Sequence, residues 1–251
     1  MSHYSAITEL DFERYIRPSI SHDQINGTKK FIINSLPRSG TIWLMCLIQD
    51  ILEIKREEQL VLSHVFDIVD EWQDKRVHHA LVIVRDIKDI VVSLYDYTSR
   101  TDLENGFNQP RYQHIEEFYF QHFLGLIQGL DRYGYGDIIS WLNFAAARQM
   151  PIIRYEDMLT DPAKTLQKVF VFWKIKVPED IVQRAVKKHS FSNMLNQTPN
   201  TENQISSFLK RKHLSQGKSG VWQTRLTERT LTDINSRFSE YLNRMAYGIT
   251  V

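Results

Sequence analysis

The chain has 251 residues, 42% of them apolar and 12% aromatic, which suits one domain with a sizeable core and excludes a disordered chain. Thirty-one Lys and Arg against thirty Asp and Glu leave a net charge of +1, which argues against nucleic acid or an anionic membrane as a bulk partner. No apolar run reaches membrane-spanning length, no basic-then-apolar leader is present, and the single Cys46 has no internal disulfide partner, so a cytoplasmic protein is expected.

The first thirty residues carry no motif. Phe31–Asn34 is a β-rich apolar run that empties into Leu36-Pro37-Arg38-Ser39-Gly40-Thr41, and an apolar helical pattern runs from Ile42 to Leu52. A strand, a tight small-residue turn and a helix N-terminus together make an anion site, because the first helical N–H groups are unpaired and the dipole favours negative charge. Arg38 adds a guanidinium fork, and Ser39 and Thr41 add hydroxyl donors. Cys46 falls in the apolar helix and reads as a buried structural thiol. Leu60–Ser63 is a second strand pattern, with His64 at its end. Ala80–Val84 is a third, with Arg85 leaving its end and Ser93 a little over two turns along the helix predicted at Asp86–Tyr97.

Arg100–Arg111 carries no motif. Asp137–Gln149 is helical in pattern, and Pro151–Tyr155 is the fourth strand run. Asp161-Pro162 reads as an N-cap with Pro at the first helical position, followed by Leu166, Val169, Phe170 and Trp173 on one face. Leu231, Ile234, Phe238, Tyr241, Leu242 and Met245 form one apolar stripe near the C-terminus. Three of the strand runs are continuous rather than alternating, as in a parallel sheet covered on both faces. The expectation is an α/β fold: a single domain over residues 1–251, with a central parallel β-sheet flanked by helices and ligands at the carboxyl ends of the strands.

The loop string Pro37-Arg38-Ser39-Gly40-Thr41-Ile42-Trp43 lacks the Gly-Lys-Ser/Thr ending of the nucleotide-triphosphate loop. It resembles the 5′-phosphosulfate loop of sulfotransferases that use 3′-phosphoadenosine 5′-phosphosulfate (PAPS), of the cytosolic type and the bacterial small-molecule kind. Arg85, Asp86, Asp89 and Ser93 are similar to the family's 3′-phosphate motif. Leu60-Val-Leu-Ser-His64 is similar to the segment whose His is the catalytic base, although the family's Lys two residues earlier is Leu62 here. Arg154-Tyr-Glu-Asp-Met158 and His189-Ser-Phe-Ser-Asn-Met194 resemble the adenine segments, which assigns Tyr155 and Phe191, with Trp43, to aromatic walls around the base. Gly217-Lys-Ser-Gly-Val-Trp222 resembles the loop that closes over the 3′-phosphate, but the family's Arg-Lys pair is Ser215-Gln216. Lys218, or Lys210-Arg211-Lys212 upstream, would substitute for the pair, Gly217 would offer its backbone N–H, and Leu214 is assigned to the cofactor site with them.

The resemblance implies a P-loop-like sulfotransferase fold. PAPS would be the donor and 3′,5′-ADP the product, with no metal. The sulfuryl group would pass by in-line displacement to a hydroxyl or amine of a small-molecule acceptor, with His64 as base and Arg38 as an electrostatic clamp. Residues 1–30 would line the acceptor site, together with 65–72 and 97–112. Asp67, Asp70, Asp96 and Asp102 among the aromatics of these loops suit a cationic or polar acceptor, although loop acids are usually just solvated. Two other readings stand beside this one. A catalytically silent 3′,5′-ADP-binding regulator fits the missing cations at Leu62 and Ser215-Gln216. A nucleotide-dependent kinase fits the phosphate cradle alone and would depend on magnesium. Each motif also has a plain reading: aromatics beside apolar runs are usually core, a histidine is usually a hydrogen-bonded surface residue, and a basic loop is usually solvated.

Overall fold

The computed structural model describes residues 20–21, 30–54, 59–64, 77–127, 137–196 and 217–247. In chain order the elements are β1 (Ile20–Ser21), β2 (Lys30–Ser35), α1 (Thr41–Leu52), β3 (Leu60–Ser63), β4 (Val77–Val84), α2 (Ile87–Glu104) and α3 (Ile115–Phe118). A π-helical turn at Tyr119–Phe123 joins α3 to α4 (Leu124–Ile127). Then come α5 (Ile138–Ala147), β5 (Ile152–Arg154), α6 (Tyr155–Thr160), α7 (Pro162–Phe172), β6 (Ile175–Lys176), α8 (Glu179–Lys188) and α9 (Phe191–Asn196). A 3₁₀ turn at Val221–Thr224 precedes α10 (Glu228–Arg237) and α11 (Ser239–Arg244).

The central sheet has the order β3-β2-β4-β5, and every pairing is parallel. Its interior strands are buried on both sides, which is why their sequences read as continuous apolar runs. Phe31, Ile33, Leu81 and Ile83 face a core completed by Leu44, Ile48 and Ile51 of α1 and by α7. Ile32, Ala80, Val82 and Val84 face the opposite core, with Ile87, Ile90 and Val91 of α2 and with Trp141 and Tyr241. So the chain leaves β2 toward one face of the sheet and leaves β4, the adjacent strand, toward the other. Two neighbouring parallel strands whose helices diverge leave a crevice at their carboxyl ends, and that crevice is where an open α/β sheet binds ligands.

Local chemistry fixes the helix starts. The Asp86 carboxylate accepts from Lys88 N at 3.0 Å, Asp137 caps Ser140 N, and Asp161 caps Lys164 N ahead of Pro162. The four predicted strands and the helices after the first, third and fourth are present, with shifted ends. The helix expected over Asp86–Tyr97 continues to Glu104, because Asp102, 1% exposed, still packs inward and binds Arg111 at 2.8 Å. The fourth strand stops at Arg154, so Tyr155 opens α6. The C-terminal apolar stripe is two helices broken at Phe238, although both bury it in the same core. The β1–β6 pair and the α3–α4 run carried no sequence signal. Cys46 is buried within α1.

Candidate active site

The turn after β2 folds as a cradle. Arg38 sits at φ 69° and Gly40 at φ 86°, two left-handed residues bracketing Ser39, and Gly40 caps α1. Alternating backbone of this kind turns successive N–H groups to one side, where the α1 dipole adds to them. Glycine is required at position 40 on two counts. Its φ is left-handed, and a Cβ there would lie 2.5 and 2.7 Å from ring carbons of Tyr155. Ser39 is fully buried, and its hydroxyl has no hydrogen-bond partner among the described residues.

A cavity of about 320 Å³ opens from this cradle. Arg38, Gly40, Thr41, Ile42 and Trp43 line it from the loop and α1, and His64 lines it from the end of β3. Arg85 and Ser93 reach it from β4 and α2, Tyr155 and Phe191 from α6 and α9, and Gly217 from the C-terminal segment. Eleven of the fourteen site residues read from the sequence thus share one wall. Ser39 lies behind the wall. Lys218 is exposed and reaches the site through its carbonyl, which accepts from Arg85 Nη2 at 3.0 Å. Leu214, Ser215, Gln216 and the Lys210-Arg211-Lys212 cluster lie outside the described residues, as do residues 65–72 and nearly all of 1–30.

At the β3 end, His64 Nδ1 lies 3.0 Å from Ser35 O. A carbonyl only accepts, so this bond requires the proton on Nδ1 and leaves the neutral ring's lone pair on Nε2. Ser35 Oγ, 3.2 Å from Nδ1, then accepts as well, and it shares a hydrogen bond of 2.6 Å with Thr41 Oγ1 in which either hydroxyl can donate. Burial depresses the His64 pKa below 6.5, partly offset by the Ser35 carbonyl, which keeps the ring neutral at neutral pH.

The two arginines form a second unit. Arg38 Nε donates to Ser93 Oγ at 3.1 Å, and the guanidinium lies 5.0 Å from the Tyr97 ring centre. Burial, then Arg100 and Arg85, lower the Arg38 pKa to about 10, and it is still a cation at neutral pH. Arg85, 4% exposed, donates to Arg38 O at 2.8 Å as well as to Lys218 O, stacks 4.5 Å over Tyr155, and has its Nε unpartnered among the described residues. Trp43 meets Tyr155 edge-on and donates its indole N–H to His189 O at 2.8 Å. Phe191 packs on Gly217, where a Cβ would come within 2.7 Å of the ring.

Sequence reading missed Leu94, Leu159 and Met194 on the wall. Leu159 lies one turn beyond Tyr155 and Met194 three residues beyond Phe191, so helical spacing from an assigned residue was the available signal. Leu62 lines the cavity where the family has Lys. Of the acids proposed for a cationic acceptor, Asp96 pairs with Arg225 at 2.8 Å and Asp102 with Arg111, while Asp67 and Asp70 lie outside the described residues.

A parallel sheet with a phosphate cradle at its carboxyl edge is shared by many nucleotide-binding proteins. The Sulfotransferase domain family model matches residues 75–246, more than half of the chain. The chain belongs to the sulfotransferase family. The match begins after Leu36–Thr41 and His64, so it supports the family independently of the loop and the histidine. Sulfotransferase 2A6 of Mus musculus is 26% identical, over 90% of this chain and 90% of its own length. Sulfotransferase 1C2 of Homo sapiens is 27% identical over 68% of this chain and 55% of its own. The structure of mouse sulfotransferase SULT7A1 complexed with PAP shares the fold, with TM-score 0.64 and 21% identity over 86% of this chain and 85% of that one. As a family member this sulfotransferase is a PAPS-dependent enzyme. Among the described residues, none of its helices is long and apolar enough to cross a membrane.

Proposed function

We propose that this sulfotransferase moves the sulfuryl group of PAPS to a hydroxyl or amine of a small-molecule acceptor by in-line displacement, with His64 as the base. The observation that carries the reading is the meeting of His64, the Arg38–Thr41 cradle, the Arg85–Ser93 pair and the Trp43 and Phe191 rings on one cavity. The residues present fit the donor. The cradle supplies backbone N–H groups, Arg85 and Arg38 supply fixed cations, and the Ser39 hydroxyl and Arg85 Nε have no hydrogen-bond partner among the described residues. PAPS, when bound, supplies the sulfuryl group and a 3′,5′-ADP leaving group.

Nε2 of His64 takes the acceptor proton as the acceptor attacks, and the Nδ1–Ser35 carbonyl bond holds the tautomer able to do so. Arg38, the Thr41 hydroxyl and the α1 N–H groups stabilise charge on the departing 5′-phosphate. Trp43 and Phe191 hold the adenine by stacking. Leu62 on the wall removes one cation from the transfer site, which favours as a second reading a chain that binds 3′,5′-ADP without turnover.

Calorimetric titration of the purified, metal-free protein with 3′,5′-ADP, against 5′-AMP and ATP, tests the donor assignment. Binding that needs the 3′-phosphate is the expected result, and equal affinity for 5′-AMP would overturn it. Transfer from labelled PAPS to an acceptor library, lost in His64→Gln, separates the catalyst from the silent binder.

A further inference from the structure

We propose that Asp89 is the positioning residue that fixes the Gly217–Trp222 segment against the cavity, and through it the 3′-phosphate side of the cofactor site. The inference rests on the PAPS reading above.

Immediately ahead of this segment the chain has Ser215-Gln216 where the family has Arg-Lys. What the segment brings to the wall is Gly217, with no side chain to anchor it. Gly217 at φ 62° and Gly220 at φ 78° give it backbone freedom, and Lys218 and Ser219 between them are exposed. Its place therefore depends on what grips it from outside.

The grip comes from the end of β4 and the first turns of α2. Asp89 is 1% exposed, and both of its oxygens are spent on the segment. Oδ2 accepts from Gly220 N at 2.6 Å and Oδ1 from Trp222 N at 3.3 Å. One turn back, Arg85 takes Lys218 O. Between them the buried Lys88 ammonium lies 4.4 Å over the Trp222 ring, 3.6 Å from Asp86. The segment thus offers one acceptor, Lys218 O, followed by two donors, Gly220 N and Trp222 N, so it cannot slide by one residue without losing these bonds. An acid in the first turn of a helix ordinarily serves the helix dipole. Here both oxygens instead point at backbone N–H groups more than 130 residues away in sequence.

Asp89→Asn tests this. An amide keeps the shape but has one acceptor oxygen and an NH₂ that faces the second N–H. In 3′,5′-ADP titrations the variant is expected to bind about 10–100-fold more weakly, with 5′-AMP affinity changed less than about threefold. In amide hydrogen exchange of the protein without ligand, Gly220 and Trp222 lose about tenfold or more of their protection while β2 and β4 keep theirs. Asp89→Glu, which retains the carboxylate one methylene further out, falls between the two, and it serves should the Asn variant not fold. Unchanged protection at Gly220 and Trp222 would overturn the proposal, as would equal weakening of both ligands. Should the wild type itself fail to prefer 3′,5′-ADP, the PAPS reading falls, and the exchange measurement still judges Asp89.

Discussion

Gly40→Ala probes the cradle where its geometry is tightest. The new methyl would sit at 2.5 and 2.7 Å from the Tyr155 ring, on a residue at φ 86°. A non-glycine residue in left-handed backbone costs roughly 1–2 kcal/mol. Overpacking against a ring held under the Arg85 guanidinium adds about 1–3 kcal/mol. The sum, about 2–5 kcal/mol, corresponds to a fall of roughly 4–20 °C in thermal midpoint for a domain of this size. The two parts separate in a double-mutant cycle. Tyr155→Ala removes the ring and with it the steric part, but leaves the backbone strain. In chemical unfolding the double variant is therefore expected to be more stable than the sum of the single losses by about 1–3 kcal/mol. The same variants titrated with 3′,5′-ADP show whether the loop yields before the fold does. Additive losses within about 0.5 kcal/mol would refute the contact, and an unchanged midpoint for Gly40→Ala would refute the left-handed cradle.

The remaining expectations concern the base and the walls. His64→Gln lowers kcat by roughly 10²–10⁴ while 3′,5′-ADP affinity holds, checked by single-turnover transfer and titration, and a variant that keeps its rate would remove His64 from the chemistry. Burial lowers the His64 pKa, so the rate should hold at neutral pH and fall on acidification only below 6.5. His64's share of stability runs the same way: the unfolded ring takes its proton near 6.5 and the folded ring only at lower pH, so stability is full above 6.5 and is lost as pH falls toward the folded value. An acidic limb displaced above 6.5 would contradict this. Ser35→Ala removes the hydroxyl link to Thr41 but keeps the carbonyl that fixes the His64 tautomer. A loss of about 2–12-fold in kcat is expected, and a loss as deep as that of His64→Gln would refute the division of roles. Phe191→Ala weakens 3′,5′-ADP and 5′-AMP alike by about 1–3 kcal/mol, since stacking acts on the shared adenine; selective loss of one ligand would place the ring elsewhere.

The sheet was legible because burial on both faces writes a continuous apolar run into the interior strands β2 and β4, and the ends of these runs and of the edge strand β3 located Arg38, Arg85 and His64. Where the signal was weaker, boundaries slipped. Asp102 reads as a polar loop residue, yet it is buried on an extended α2 because Arg111, nine residues later, neutralises it. The β1–β6 ladder is two residues long in each strand, too short for any period to show. The roles of the charged residues were the least legible. Ser93, matched as a phosphate ligand, accepts from Arg38, and Arg85 spends two of its donors on backbone carbonyls. Spacing along a chain gives the neighbourhood of a side chain but not the partner it chooses once folded. Asp96 shows the same limit, since its partner Arg225 lies 129 residues away.

Arg85 also explains why the site's two ends behave as one object. The left-handed conformation at Arg38 has a cost of its own for a residue with a Cβ, and such strain persists only where surrounding bonds over-determine it. Arg85 supplies that determination by binding the carbonyl of the strained residue with one nitrogen and the C-terminal segment with the other. A planar fork suits this task, because both carbonyls are held at a fixed separation by a single rigid group. Asp89 then secures the far end of the same segment. The 5′-phosphate cradle, built after β2, and the segment beside Phe191, built from the C-terminal part of the chain, are thus registered to each other through the five residues Arg85–Asp89 that follow β4. Because β4 lies next to β2 in the sheet, that registration costs no long connection.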